Sequence, residues 1–198
     1  MDFFYLDCFF PIHGEVLQKS LQINHMLVRE FASVIDFKSS IEPHLTLYMG
    51  LFPDLAKVVA VVEQLNAEFA AFRASFDRFR LSPDGYIFWE PQTSAQLQAL
   101  HEKAVEMLNP LRNGLVREKF NENFDSYNSF EQMNIKNFGF PWVMQQFNPH
   151  LTLGRIAADV DQKEVLDRLS CFSALLECSF ENLQLGQVGE NGTVKNLF

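Results

Sequence analysis

The pentapeptide Pro-His-Leu-Thr-Leu occurs twice in the chain, at 43–47 and at 149–153. On a β-strand, alternate residues project to the same side. In the first copy His44 and Thr46 therefore project together, while the leucines between and after them face the other side. A strand of this kind is fixed in a core by its leucines and presents one imidazole and one hydroxyl.

Two such strands facing each other would bring four polar groups around one cleft. One neutral histidine of the pair His44 and His150 can accept a proton from an attacking oxygen, and the other, protonated, can donate one to a leaving oxygen. The hydroxyls of Thr46 and Thr152 can donate to the non-bridging oxygens of a phosphate. This set predicts phosphoester chemistry that needs no metal. A repeated strand kept only for packing is the alternative, but the leucines alone would serve packing.

The segments around the motifs predict alternating strands and helices. The apolar patterns predict a strand over Phe3–Phe10, a helix over residues 15–35 and a short strand at the first motif. Asp54 and Asp161 are predicted to cap helices after the two motifs, and Thr93 with Gln96 resembles a capping box. The turn Ser82–Gly85 predicts a hairpin. CSFENLQL echoes ASFDRFRL, so the repeat reads strand, helix, strand.

This longer repeat indicates an internal duplication and two lobes related by an approximate two-fold axis. Between the two copies, the polar and aromatic segment Arg117–Trp142 has no clean period. It is rich in Phe, which argues against plain disorder. We expect one domain over 1–198, with an ordered loop or lid inserted at about 112–146.

Composition limits the possible partners. The formal net charge is −9, from 16 basic and 25 acidic residues, and no basic run occurs. Because phosphate neutralisation dominates the binding of long nucleic acids, such a partner is not expected, and a membrane-surface role is disfavoured. Three cysteines without CxxC spacing are typical of reduced thiols, so we expect a cytoplasmic protein. No metal-site or nucleotide-loop motif is present, so no metal and no cofactor are expected.

Three further residues are possible substrate contacts. Arg155 lies five residues after His150 and can bind a phosphate oxygen, although a surface salt bridge is an alternative. Tyr48 is four residues after His44 on the same strand face and can line the pocket, although a half-buried position without such a role is the alternative. Trp142, near a glycine and a proline, can stack on a base. His25 and His101 fall on predicted helices, where solvated or boundary positions would explain them.

The paired motifs HLTL at 44–47 and HLTL at 150–153 resemble those of the two-histidine (2H) phosphoesterase superfamily, which includes RNA 2′,3′-cyclic phosphodiesterases formerly called 2′-5′ RNA ligases. The form PHLTLGR of the second copy is especially similar to theirs, and the order of elements matches over nearly the whole chain. The segment between Asn109 and Phe147 is longer than in compact members.

The resemblance implies an α+β fold, bilobal, with two pseudo-two-fold related antiparallel sheets lining a central cleft and helices packed outside. It implies that both histidines are catalytic and that Thr46 and Thr152 bind the substrate phosphate. By analogy, His44 is the proton donor and His150 the acceptor, although the sequence itself does not distinguish the two imidazoles.

We therefore expect a metal-independent phosphodiesterase that hydrolyses a cyclic (2′,3′-) or a 2′-5′ phosphodiester of a nucleotide or short oligonucleotide end. The expected partner is that small substrate, and the expected state is a monomer. The alternative is a non-catalytic nucleotide-binding module of the same fold, which would bind ligand without forming product.

Overall fold

Strands and helices alternate along the chain much as the sequence predicts. The computed structural model describes residues 3–37, 43–92, 94–172 and 175–198. The strands are β1 (Phe4–Pro11), β2 (His44–Phe52), β3 (Phe72–Leu81), β4 (Tyr86–Pro91), β5 (Leu151–Arg155), β6 (Leu176–Phe180), β7 (Gln184–Val188) and β8 (Val194–Leu197). The helices are α1 (Gly14–Phe31), α2 (Leu55–Glu68), α3 (Ala95–Leu108), α4 (Glu118–Glu122), α5 (Ser129–Phe138) and α6 (Gln162–Ser170).

The described strands form one antiparallel sheet of eight strands in the order β6-β3-β4-β5-β2-β1-β7-β8. The α+β class predicted from the sequence is confirmed. Two sheets were expected, and the structure instead joins the two halves at the centre, where β2 and β5 pair at Leu45 and Leu151. Each half contains four strands, with its motif strand innermost.

The two halves share a local irregularity that supports the predicted duplication. In the first, Phe9 pairs with Thr46 and Cys8 with Tyr48, so Leu47 is an extra residue. In the second, Phe88 pairs with Thr152 and Ile87 with Gly154, so Leu153 is extra. A β-bulge therefore follows the threonine of each motif. Such a bulge bends a strand and changes which side chains face the core.

The repeated strand-helix-strand order is present, but its last strands do not separate into two lobes. The strand of ASFDRFRL, β3, pairs directly with the strand of CSFENLQL, β6, with Phe72 opposite Phe180. Each of these two segments contains a Ser-Phe pair, and the phenylalanines of the two pairs, Phe76 and Phe180, are buried in the same core. The second copy therefore adds an edge strand beside the first copy.

Local signals for turns and caps agree with the structure. The Ser82–Gly85 turn joins β3 to β4, and Gly85 has φ +86°, where a Cβ would lie 2.2 Å from the Ile156 carbonyl oxygen. Asp54 and Asp161 accept hydrogen bonds from backbone amides at the starts of α2 and α6. Helix α3 is capped by Ser94, and Thr93 lies outside the described residues.

The inserted segment contains more regular structure than a long loop. Its helix α5 begins with a capping box, in which the Asn128 side chain accepts from the amide of Glu131 and the Glu131 carboxylate accepts from that of Asn128. It ends at Gly139, with φ +71°. The polar caps explain why a segment without a clear apolar period still forms a helix. None of the helices in the described ranges has the length and apolarity that a membrane span requires.

Candidate active site

The four motif side chains meet where the two halves of the sheet join. Leu45 and Leu151 pair across β2 and β5, and both are fully buried. Continuing this antiparallel register by one residue in each direction places His44 beside Thr152 and Thr46 beside His150. His44 and Thr152 also line one small cavity. The structure thus brings together the two imidazoles and two hydroxyls that the sequence predicted for one cleft.

A phenylalanine from the adjacent strand packs on each imidazole. The ring of Phe9 on β1 lies 4.8 Å from that of His44, and the ring of Phe88 on β4 lies 4.1 Å from that of His150. Phe88 is half-buried on the cleft side, whereas Trp89, its neighbour, is fully buried. Only the pairing of the strands shows that Phe9 and Phe88 occupy matching places beside the histidines.

The second histidine is held through its Nδ1 atom. Nδ1 of His150 lies 2.8 Å from the Asn148 carbonyl oxygen, so the neutral tautomer that donates this bond leaves an unprotonated Nε2. Burial lowers the pKa of His150 to about 4, and the charges of Arg80 and His44 act in the same direction. That electrostatic effect also shows that His44 and His150 are close enough to interact. At neutral pH His150 is therefore an uncharged base.

A buried carboxylate supports the loop before His150. Glu90 is almost fully buried, pairs with Arg78 and Arg80, and accepts a 2.8 Å hydrogen bond from the Asn148 side chain. Burial alone would raise the pKa of Glu90, but the hydrogen bonds from Arg80 and Asn148 lower it. Since the Asn148 carbonyl holds the imidazole of His150, Glu90 positions that ring indirectly.

The first histidine has a different environment, which sequence reasoning missed. Asp7 on β1 is fully buried, and its Oδ2 lies 3.3 Å from Nε2 of His44. The same oxygen accepts a 2.7 Å hydrogen bond from the Thr46 hydroxyl. The signal was available: an acidic residue within the apolar run Phe3–Phe10 is costly to bury unless it is paired.

The prediction that Tyr48 lines the pocket is wrong. Its side chain is 1% exposed, and its hydroxyl donates a 2.6 Å hydrogen bond to the Phe138 carbonyl. The bulge at Leu47 ends the strict alternation that the prediction assumed, so Tyr48 turns into the core.

Arg155 is half-buried, and Trp142 lies on the surface. The Arg155 guanidinium donates a 2.9 Å hydrogen bond to the Asn191 side chain and lies 4.8 Å from the centre of the Tyr86 ring. It therefore holds the turn whose next residues, Gly192 and Thr193, line the small cavity with His44. The Trp142 ring is 48% exposed, and its indole donates to Glu131. Their contact with substrate stays a prediction.

A larger cavity of about 190 Å³ adjoins His44 on the side of β1, β7 and β8. Its lining is mixed, with Phe9, Pro11, Pro43, Val194 and Leu197 supplying apolar surface and Gln184 and Lys195 supplying polar groups. The two cavities share Pro43 and His44. Within the described residues no cluster of three or more His, Cys, Asp or Glu side chains is arranged to hold a metal.

His101 is fully buried, so the expected solvated or boundary position is wrong, while His25 is exposed as expected. Nδ1 of His101 lies 2.6 Å from the Leu47 carbonyl oxygen, and its Nε2 accepts a 2.8 Å hydrogen bond from the Met144 amide. Its ring stacks on Phe147 at 3.8 Å. This histidine joins the strand of the first motif to the loop that leads into the second.

Comparisons with known proteins agree with the motif pair. The sequence model described as "2'-5' RNA ligase superfamily" matches residues 36–192. No curated protein matches the sequence. Among solved structures, one described as "Crystal structure of phosphoesterase" is 11% identical, with a TM-score of 0.48 over 100% of this chain and 96% of that one. The Usb1 structure from Kluyveromyces marxianus is 9% identical, with a TM-score of 0.42 over 99% and 96% of the two chains.

Proposed function

The chain belongs to the 2′-5′ RNA ligase superfamily, a group of two-histidine phosphoesterases, and on that premise we propose that it is a metal-independent phosphodiesterase. Its substrate is a cyclic 2′,3′- or a 2′-5′ phosphodiester of a nucleotide or short oligonucleotide end. The observation that carries this proposal is the grouping of His44, Thr46, His150 and Thr152 where β2 and β5 pair.

The environment of His150 favours the role of general base. Its Nδ1 is engaged by the Asn148 carbonyl, and its lowered pKa keeps the ring neutral at physiological pH. Its Nε2 lone pair can take a proton from water as the water oxygen bonds to phosphorus. His44 then has the opposite role: it donates a proton to the ribose oxygen as the bond from that oxygen to phosphorus breaks. With a 2′,3′-cyclic phosphate and a 3′ leaving oxygen, the product is a 2′-phosphate.

The cavities support a small substrate. The small cavity, which His44 and Thr152 line, has a volume of about 10 Å³, and the larger cavity beside His44 would receive the group on the side of the proton donor. Its volume of about 190 Å³ lies below the roughly 300–1,000 Å³ of pockets for drug-sized ligands, which favours a single nucleotide unit there. Lys195 offers a positive charge to that unit. The net charge of −9 argues against a long RNA track.

The test is a screen of 2′,3′-cyclic nucleotides and 2′-5′ linked oligoadenylates, with the phosphate position of the product determined by phosphorus NMR. His44→Ala and His150→Ala should each reduce kcat by roughly 10²- to 10⁴-fold, the usual cost of losing a positioned acid or base. His25→Ala, at an exposed position on α1, is the matched control and should be unaffected. Activity should persist in EDTA, because the two imidazoles carry both proton transfers.

If both histidine variants turn over these substrates as well as the wild type does, the proposal fails. Binding of nucleotides without any product would instead identify a non-catalytic nucleotide-binding module.

A further inference from the structure

We propose that Asp7 is the positioning residue of the first motif: its buried carboxylate keeps the His44 imidazole protonated and accepts a hydrogen bond from the Thr46 hydroxyl. This inference rests on the proposed function, because the protonated imidazole is the proton donor of that mechanism. In this proposal the histidines of two motifs that are identical in sequence have different roles.

The geometry places one carboxylate oxygen between both motif side chains. Oδ2 of Asp7 lies 2.7 Å from the Thr46 hydroxyl and 3.3 Å from Nε2 of His44. The Asp7 side chain is fully buried, and that of His44 is only 10% exposed. The contact is therefore shielded from solvent, and an interaction between opposite charges is stronger there than on the surface.

The burial of Asp7 favours a partner of opposite charge. A lone buried carboxylate is costly, and a partner of opposite charge offsets part of that cost. The other oxygen of Asp7, Oδ1, has no hydrogen-bond partner among the described residues. Oδ2 is therefore the oxygen at which a positive imidazolium can offset the burial of Asp7.

The neighbours of Asp7 leave His44 as the group that can respond to it near neutral pH. On the same strand, burial is the main cause that raises the pKa of Tyr5 to about 12. The charge of Arg117 opposes this rise, and the charge of Asp7 adds to it. Burial and the Asp7 charge raise the pKa of Cys8 above its ordinary value. From β7, Asp7 faces Gly186, which has no side chain to titrate.

The second motif has no corresponding carboxylate. Asp7 stands two residues before Phe9, the ring beside His44, and the residue two before Phe88 is Tyr86. The ring of Tyr86 lies beneath the guanidinium of Arg155, not beside the second histidine. The pseudo-symmetry of the site is therefore broken at this position: a carboxylate contacts the imidazole of His44 directly, whereas Glu90 acts on His150 through Asn148.

The test is Asp7→Asn, which keeps the shape and an acceptor oxygen but removes the charge. An opposite charge at this distance typically moves a titration by about 1 to 3 pH units. In Asp7→Asn, the His44 ring should therefore take up its proton at a pH lower by about that amount, followed by NMR of the imidazole without any substrate. The high-pH limb of the rate profile should move down equally, so that activity lost at pH 8 returns at pH 6.

Two controls separate positioning from folding. Asp54→Asn changes an exposed cap aspartate on α2 and should leave the titration of His44 unchanged. Asp7→Glu restores the charge and should recover the wild-type titration at least in part, even if the longer side chain lowers stability. The NMR readout stands whether or not the protein hydrolyses a phosphodiester, so a failure of this inference is distinct from a failure of the proposed function.

The inference is overturned if His44 titrates at the same pH in wild type and Asp7→Asn, or if the wild-type ring is already neutral at pH 6. Either result would mean that the Asp7 carboxylate does not control the protonation of His44.

Discussion

At the scale of single residues, two identical motifs are made unequal by what packs beside them. His150 lies under Phe88, and its Nδ1 bonds to the Asn148 carbonyl, while Nε2 of His44 is directed at Asp7. Acid and base roles need imidazoles in opposite protonation states. In the proposed mechanism the neighbours supply that difference, the Asn148 carbonyl at His150 and the Asp7 carboxylate at His44, without any change in the motif itself.

A first prediction concerns Phe88, whose ring shields His150 from water. Because the pKa of His150 is lowered to about 4, mainly by burial, kcat/KM should rise with pH through an acid limb near pH 4. Phe88→Ala admits water, so the limb should move up toward 6.5, the ordinary histidine value. The measurement is a pH profile from 3.5 to 8. Phe130→Ala, on the exposed side of α5, is the control, and an unmoved limb in Phe88→Ala would contradict the prediction.

A second prediction separates the two threonines. The Thr46 hydroxyl donates to Asp7, whereas no hydrogen bond of the Thr152 hydroxyl is found within the described residues, and Thr152 lines the cavity beside His44. Thr152 is thus the hydroxyl available to a phosphate oxygen. A hydrogen bond to a charged group contributes about 1.5–3 kcal/mol, so Thr152→Val should reduce kcat/KM by roughly 10- to 100-fold. Thr46→Val should cost less, and equal losses would contradict the argument.

At the scale of elements, the site depends on how strands and loops are held against each other. The bulges at Leu47 and Leu153 fix where each motif strand turns its side chains from the cleft to the core. His101, from helix α3, bonds to both the strand of the first motif and the loop of the second. A neutral imidazole is required there, because one nitrogen is near a carbonyl and the other accepts from an amide.

The third prediction follows from this requirement. Burial lowers the pKa of His101 to about 4, against 6.5 in the unfolded chain. The unfolded state therefore binds the extra proton first, and stability that is complete above pH 6.5 is lost as the pH falls toward 4. The shift corresponds to about 3 kcal/mol. Urea unfolding between pH 7 and pH 4 measures this loss.

His101→Gln is the informative variant, because a neutral amide can keep both hydrogen bonds without titrating. Its loss of stability between pH 6.5 and pH 4 should be about half that of the wild type, since the lowered pKa of His150 contributes in the same direction. His25→Gln, at an exposed site, should follow the wild type. An unchanged pH dependence in His101→Gln would show that protonation of His101 does not cause the loss of stability at low pH.

At the scale of the whole molecule, one sheet and an acidic surface set what can reach the site. The sheet order places both motif strands at the centre, with the hairpin of β3 and β4 on one side and β1, β7 and β8 on the other. The inserted segment is anchored to the strand of the first motif, since the Tyr48 hydroxyl donates to the Phe138 carbonyl. The net charge of −9 leaves phosphate recognition to a few local groups.

The fourth prediction concerns how steeply kcat/KM falls with salt concentration, because that slope reports how many phosphates the protein neutralises. A protein that contacts many phosphates loses affinity steeply with salt, at nearly one power of the salt concentration for each phosphate neutralised. If the substrate presents one or two phosphates to groups such as Lys195, the log–log slope of kcat/KM should be about −1 to −2. The measurement compares 50 and 200 mM salt on a cyclic nucleotide and on a short 2′-5′ oligoadenylate. A slope near −6 on the oligonucleotide would indicate an extended RNA-binding surface instead.

The sequence by itself determined the elements and the reactive groups. Alternation placed His44 with Thr46 and His150 with Thr152 away from their leucines, and caps and turns such as Asp54, Asp161 and Ser82–Gly85 marked element ends, because these signals are local. The tertiary structure alone decided that the halves join in one sheet, that bulges send Tyr48 inward, and that Asp7 and His101 are buried partners. Those features depend on pairing between distant strands and on desolvation, which a linear pattern of residues does not contain.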